Sequence, residues 1–400
     1  MRRLVRVIGR LRPMGPIRPI GLIGPIGLIG LMGLMACSSE HGLPEQPEER
    51  ETGVVISFSG SEGAEEEVTR GDAETTGTTR AANSLHDAGV RFFTIWGYKN
   101  MSYDSGTDSY GGLQTDIPGY TVKWIDNSAA TTLTNSSGWE YILAERPDQT
   151  IKYWDWGATA YRFFGVTGGL TGTHGTYETN ETYEIALPAD VTSTANMAAT
   201  PYYSQLWFST GNYTDYPTRL FGQPVQLMFQ KPFTRVRMII KYTYPREGIN
   251  LTGLQFKPTD GTKKIARKGT VTVIYPLTGT DTKETYSSTP NAAPAEGEEL
   301  TAFTVDYDPE DDSKEYEFPV KDGWYTVFPN MSQGSYTLNV NVNGSGRTAV
   351  VPAQYMRWLP GYSYTYVFKI NEEGGVEIGW VEYAVTPWTE MEINHTTYNW

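Results

Sequence analysis

Few residues in this 400-residue chain are equipped for covalent or acid–base chemistry, and they do not converge on one reaction. The histidines are His41, His86, His174 and His395, and the lone cysteine is Cys37. His86-Asp87 has the composition of half a catalytic dyad. No G-x-S-x-G elbow and no reactive cysteine accompanies it, so it reads as a polar pair at a helical turn. His174 sits in a Gly/Thr loop and reads as solvated. The run Asp306-Tyr307-Asp308-Pro309-Glu310-Asp311-Asp312 alternates oxygens as a Ca²⁺ loop does, with Glu317 at the closing position. Asp311 stands where the sharp turn needs glycine, and no helix signal flanks the run, so a solvated loop is the better reading. Trp154-Asp155-Trp156 places aromatic faces beside a carboxylate, which suits stacking on a sugar ring. The competing assignment for these aromatics is core and cross-strand packing, because most fall at strand-like alternation. Paired carboxylates for glycoside hydrolysis are not recognisable. The expectation is a protein without enzymatic activity, metal or cofactor.

What must position these groups begins with a leader. Arg2, Arg3, Arg6, Arg10, Arg12 and Arg18 precede an apolar run from Ile20 to Ala36, the n-region and h-region of an export signal spanning residues 1–36. The run is shorter than the ~20 residues a membrane span needs, and Gly and Pro interrupt it. The formal charge of −14 includes the six leader arginines, so residues 37–400 carry −20. Such a surface repels nucleic acid and anionic lipid. An exported chain with a single cysteine cannot form an internal disulfide.

Residues 37–80 are polar and acidic, a tether holding one island of strand formers, Val54-Val55-Ile56-Ser57-Phe58-Ser59, between Gly53 and Gly60. Arg70 and Arg80 follow the island in an accessible stretch of the kind where proteolytic nicking concentrates. From Arg91 onwards short strands alternate with turn residues. They run through 92–98, 120–124, 139–143 and 161–166, then 225–229 and 235–242, and on through 271–275, 324–329, 336–342, 362–370, 376–378 and 383–388. Evenly spaced short strands read as sandwiches or barrels rather than βαβ units. The best helical signal is a turn or two around Asn83–Ala88, Asn343-Gly344 is a hairpin turn, and residues 281–315 read as a long exposed loop. Phe221-Gly222-Gln223-Pro224 marks a junction, which divides the body into domains 81–222 and 223–400.

Two resemblances sharpen this all-β reading. Leu34-Met35-Ala36-Cys37 resembles the lipobox of bacterial lipoproteins, whose cysteine is diacylated and becomes the new N-terminus. In order along the chain come that motif, the acidic tether with its strand, and Arg80-Ala81. Arg91–Lys99, Ile151–Trp154, Tyr161–Phe164, Val225–Phe229, Arg235–Tyr242, Pro360–Tyr366 and Val385–Thr389 follow. The set resembles the fimbrillin family of Bacteroidales surface lipoproteins. That resemblance implies two transthyretin-like β-sandwich domains and a structural or adhesive subunit of a type V pilus. It implies passage through the lipoprotein export machinery to the outer membrane surface, with a lipid on Cys37. It also implies an arginine-specific surface protease cutting after Arg80 or, second, Arg70; Arg50 precedes the strand and is the third candidate. The strand removed would be Val54–Ser59, with Val54, Val55, Ile56 and Phe58 as its apolar residues, and other pilus subunits would fill its place by strand exchange.

Elementary physics is compatible with such a scheme. A lost strand leaves an apolar groove between unpaired backbone edges, which invites strand addition. Head-to-tail donation is heterologous and so builds filaments. The C-terminal stretch Thr389–Trp400 is a donor candidate, with Met391, Ile393 and His395 on one face. A second functional class stands beside this one. It is a surface glycan-binding lipoprotein of a polysaccharide-uptake system, using Trp154 and Trp156. In either case a host or bacterial surface glycan or protein is the kind of ligand expected.

Overall fold

Apolar residues on both faces of the early strands demand cover on both sides, and that demand organises the first part of the chain. The computed structural model describes residues 53–62, 85–125, 138–168, 175–211, 220–243, 249–304, 323–332, 334–371, 375–385 and 396–399. The chain first forms β1 (Phe58–Glu62), β2 (Phe92–Asp104), β3 (Ser109–Trp124), β4 (Trp139–Tyr141), β5 (Ala160–Thr167), β6 (Gly175–Glu178) and β7 (Thr182–Asp190). A short helix α1 (Thr194–Ala199) leads to β8 (Tyr203–Ser204), β9 (Trp207–Thr210) and β10 (Val225–Gln230). The Ser193 hydroxyl caps α1 by accepting from the Asn196 N–H at 3.2 Å. The helical turn expected at 83–88 is a run of turns from Leu85 to Gly89.

Seven of these strands close on themselves in the order β2-β3-β4-β1-β10-β8-β5, because β5 also pairs with β2. Phe93 and Ile95 of β2 and Tyr161 and Phe163 of β5 point into this closed sheet. Trp96, Tyr98, Phe164 and Val166 point outward. The hairpin β2–β3 bends at a bulge where Gly119 takes φ 88°. A side chain there would be strained, and its Cβ would lie 3.1 Å from the Trp96 indole nitrogen.

The later strands are β11 (Thr234–Tyr242), β12 (Leu251–Pro258), β13 (Ile265–Ala266), β14 (Lys268–Pro276), β15 (Thr285–Pro290), β16 (Glu299–Leu300) and β17 (Phe303–Thr304). They continue as β18 (Tyr325–Val327), β19 (Tyr336–Val342), β20 (Ser345–Val351), β21 (Tyr362–Ile370), β22 (Val376–Val385) and β23 (Thr396–Asn399). Two sheets, β18-β11-β21-β22-β23 and β17-β12-β19-β20, enclose a second core around Val236, Met238, Ile240, Phe256, Leu338 and Trp358. Asn343 and Gly344, both at positive φ, make the two-residue turn between β19 and β20.

The protein is thus all-β and built of packed sheets. The cut expected after residue 222 falls between Phe221 and Val225, which are buried in the same core. Strands β14 and β15, well past that point, join β7 and β6 in a sheet that covers the outward face of the closed one. Phe164 stacks on Tyr275 at 4.0 Å and Trp96 packs on Tyr183 at 5.2 Å. The expected loop at 281–315 contains strand β15, which pairs with β14 over six residues. Its sequence, TYSSTP, is polar on both faces because it is largely exposed, so no hydrophobic alternation announces it.

Candidate functional site

The apolar island of the tether is built into the closed sheet. Residues 54–56 run against Lys152–Trp154: the Trp154 N–H donates to the Val54 carbonyl at 2.9 Å and the Ile56 N–H to the Lys152 carbonyl at 2.8 Å. Val55 completes the antiparallel bridge with Tyr153. The chain then crosses to β10, where the Val225 N–H donates to the Ser57 carbonyl at 2.8 Å. From there β1 runs parallel to β10, from Phe58 opposite Val225 to Glu62 opposite Phe229. On its other side Phe58 pairs with Trp139 of β4, and the Tyr141 hydroxyl donates to the Ile56 carbonyl at 2.8 Å. Burial pushes the Tyr141 hydroxyl well above its ordinary pKa, so it remains a protonated donor. The strand therefore begins at Phe58, later than the island's first residue, and the residues before it hook over a second edge.

Strand alternation sends Ile56, Phe58 and Gly60 inward. Ile56 is fully buried and Phe58 nearly so, with edge-to-face contacts to Tyr141 at 5.6 Å and Phe163 at 6.1 Å. Each such side chain is worth about 1.5–3 kcal/mol of burial. Gly60 carries no side chain, and the buried Leu85 closes over it, donating its N–H to the Gly60 carbonyl at 3.0 Å. Val54, by contrast, is 44 % exposed.

Leu85 is the functional residue that sequence reasoning missed. It is the only branched aliphatic residue between Val68 and Val90, and that isolation was its signal. The parallel pairing with β10 had no signal at all, since strand partners are not written in either strand.

The two tryptophans separate. Trp154 is 4 % exposed and belongs to the core, packed on Tyr161 at 4.9 Å and stacked on Phe221 at 5.3 Å. Trp156, two residues on, is 51 % exposed and lies against Gly222. A sugar platform made of both indoles is therefore not formed, because the turn between them sends one ring in and the other out. Asp155 holds that turn: its carboxylate accepts from Lys99 Nζ at 2.6 Å and from the Gly157 N–H at 2.9 Å. The Lys99 hydrogen bond holds the Asp155 carboxyl below its ordinary pKa. His86 stacks on Trp124 at 4.3 Å, and its Nδ1 lies 3.7 Å from the Asp87 carboxylate. Among the described residues, no group of three or more His, Cys, Asp or Glu comes together to hold a metal.

Cys37, Arg70, Arg80, Met391 and Ile393 lie outside the described residues, as does the acidic run 306–317. The end of the chain is described at β23, which forms the edge of its sheet by pairing antiparallel with Trp380–Tyr383 of β22.

No protein-family model and no curated protein matches the chain. Among solved structures it is similar to a candidate cell adhesion protein of Bacteroides ovatus, at 13 % identity and a TM-score of 0.37, covering 85 % of this chain and 99 % of that one. A candidate cell adhesion protein of Bacteroides uniformis is similar at 14 % identity and a TM-score of 0.33, over 75 % and 92 % of the two chains. The fimbrial anchor protein Mfa2 of Porphyromonas gingivalis is similar at 10 % identity and a TM-score of 0.28, over 84 % and 97 %. All three come from Bacteroidales.

Proposed function

We propose that this chain is a non-enzymatic structural or adhesive subunit of a surface filament, made as a lipoprotein with its lipid on Cys37. Cleavage after Arg80, or after Arg70, frees the N-terminal segment together with β1, and another subunit's strand takes its place. The observation that carries this reading is the position of β1. It is an inner strand of a closed sheet, yet it belongs to the acidic N-terminal segment and is joined to Leu85 only through residues 63–84, which contain both arginines. Its departure leaves β4 and β10 with unpaired backbone edges on either side of an apolar trough lined by Tyr141, Phe163 and Phe229. An extended segment from another chain satisfies both edges at once. Surface location and adhesive use belong to the same reading, as do the export machinery and the arginine-specific protease as partners. So does a division of the body into two sandwiches, the first of them including β10, β14 and β15.

The test is the N-terminal sequence and intact mass of the protein shed from its native cell surface. The expected start is Ala81 or Gly71, without lipid. A population carrying only acylated Cys37, with β1 retained, overturns the proposal.

A further inference from the structure

The groove around β1 is tight at its third inward position, and that restricts what can occupy it. A Cβ built on Gly60 would lie 3.2 Å from Leu85 Cδ2, 3.4 Å from Leu85 Cβ and 3.4 Å from Phe229 Cε2. A single methyl already requires the Leu85 side chain to give by a few tenths of an ångström, and a longer side chain requires more. Leu85 is fully buried: its N–H donates to the Gly60 carbonyl of β1 at 3.0 Å, and its carbonyl, tied to the body of the protein, accepts from the Val90 N–H at 3.2 Å. It follows the arginine-bearing residues 63–84 in the chain, so cleavage there leaves Leu85 with the body of the protein. Leu85 is therefore a wall of the groove and not a part of its removable content.

From this geometry we infer that the groove selects an extended segment of pattern aliphatic-x-aromatic-x-Gly, as in Ile56-Ser57-Phe58-Ser59-Gly60. The incoming occupant is then a segment of a different protein carrying that pattern, and not the tail of a second copy of this chain. The inference rests on the strand-exchange reading above. The tail fails the pattern at each register. Residues 386–400 contain neither Gly nor Ala. Aligning Met391 and Ile393 with the first two inward positions puts His395 at the tight third position, and a shift by two puts His395 in the aromatic position and Thr397 against Leu85. The opposite face offers Asn394, Thr396 and Tyr398, with a ring at the tight position. Part of the tail is also already engaged, since Thr396–Asn399 pairs with β22 of its own sheet.

The experiment nicks the full chain with an arginine-specific protease and offers it three fluorescent peptides, with retained label measured after gel filtration. The peptides copy residues 53–62, residues 53–62 with Gly60→Leu, and residues 389–400. The copy of 53–62 is expected to be retained, and the other two about 10-fold less or worse, the scale of an overpacked site. Leu85→Ala in the protein is expected to restore retention of the Gly60→Leu peptide. The three-peptide comparison on the unaltered chain decides the matter even if that variant does not fold. Equal retention of the Gly60→Leu peptide or of the tail peptide overturns the selectivity while leaving strand exchange intact. If the copy of 53–62 itself never enters, strand exchange falls, and the selectivity falls with it.

Discussion

Two parallel strand pairs, β1 with β10 and β11 with β21, build the same arrangement with very different extents of pairing. Both join an early strand to a later one in the same direction, an arrangement a hairpin cannot produce. β11 matches β21 over eight residue pairs and has β18 as a second neighbour over three more. Its inward residues Val236, Met238, Ile240 and Tyr242 alternate along the whole strand. β1 matches β10 over five pairs and β4 at one, and its inward series stops at Gly60. The tether segment thus depends on three buried apolar side chains, Val55, Ile56 and Phe58, and on hydrogen bonds from residues that stay behind. Few anchors of high individual weight suit the exchange proposed for this strand.

The largest test of that contrast compares Phe58→Ala with Ile240→Ala. In the intact chain each is expected to cost about 2–5 kcal/mol in urea unfolding, as buried large-to-small changes do. In chain nicked with the arginine-specific protease and stripped of β1, the Phe58 effect is expected to vanish and the Ile240 effect to persist. A persistent Phe58 effect would make the two strands alike. A smaller difference is expected at the flanking hydroxyls. Tyr141→Phe leaves the Ile56 carbonyl without its donor, at a cost of about 1–3 kcal/mol that should again depend on β1 being present. Tyr366→Phe is the control in the second core. Its hydroxyl accepts from Trp358 Nε1 and donates to the Tyr355 carbonyl, both at 2.9 Å, and its loss should cost the same whether β1 is present or not. The smallest effect concerns acid. Asp155, beside the residues that hold Val54 and Ile56, has a carboxyl lowered chiefly by Lys99, so its stabilisation is present above the ordinary carboxylate value and lost as pH falls through the lowered one. Because Asp155 is partly exposed, the loss should stay under ~1 kcal/mol. Hydrogen exchange at the Ile56 and Trp154 amides below about pH 4 should report it, and Lys99→Met should flatten the dependence.

Much of this was legible where burial is one-sided or complete. The alternation in Arg235–Tyr242, the run Tyr161–Val166 and the Asn343-Gly344 turn each carry their structure in the local pattern. β15 and β7 were not read. The first is polar on both faces, and the second, TYEIALPAD, has a proline inside it at Pro188, opposite Thr270 of β14. The island at 54–59 was visible as a strand, but its placement was not, because a parallel partner more than 160 residues away leaves no local trace. The Trp154 and Trp156 pair misled for a related reason. Residue type gives the chemistry of an indole, whereas the turn fixed by Asp155 and Lys99 decides which face of the fold receives it.

The short passage Lys231–Phe233 connects β10 directly to β11, and this has a mechanical consequence. A pull along a strand seated in the β1 position loads its parallel hydrogen bonds together in shear instead of peeling them one at a time. Tension then passes into β10, through three residues of covalent chain, and into the longer ladder that β11 makes with β21. One continuous backbone thus links the strand beside β1 to the longer of these two parallel ladders, so tension applied at the proposed joint runs along the chain and not across its sheets.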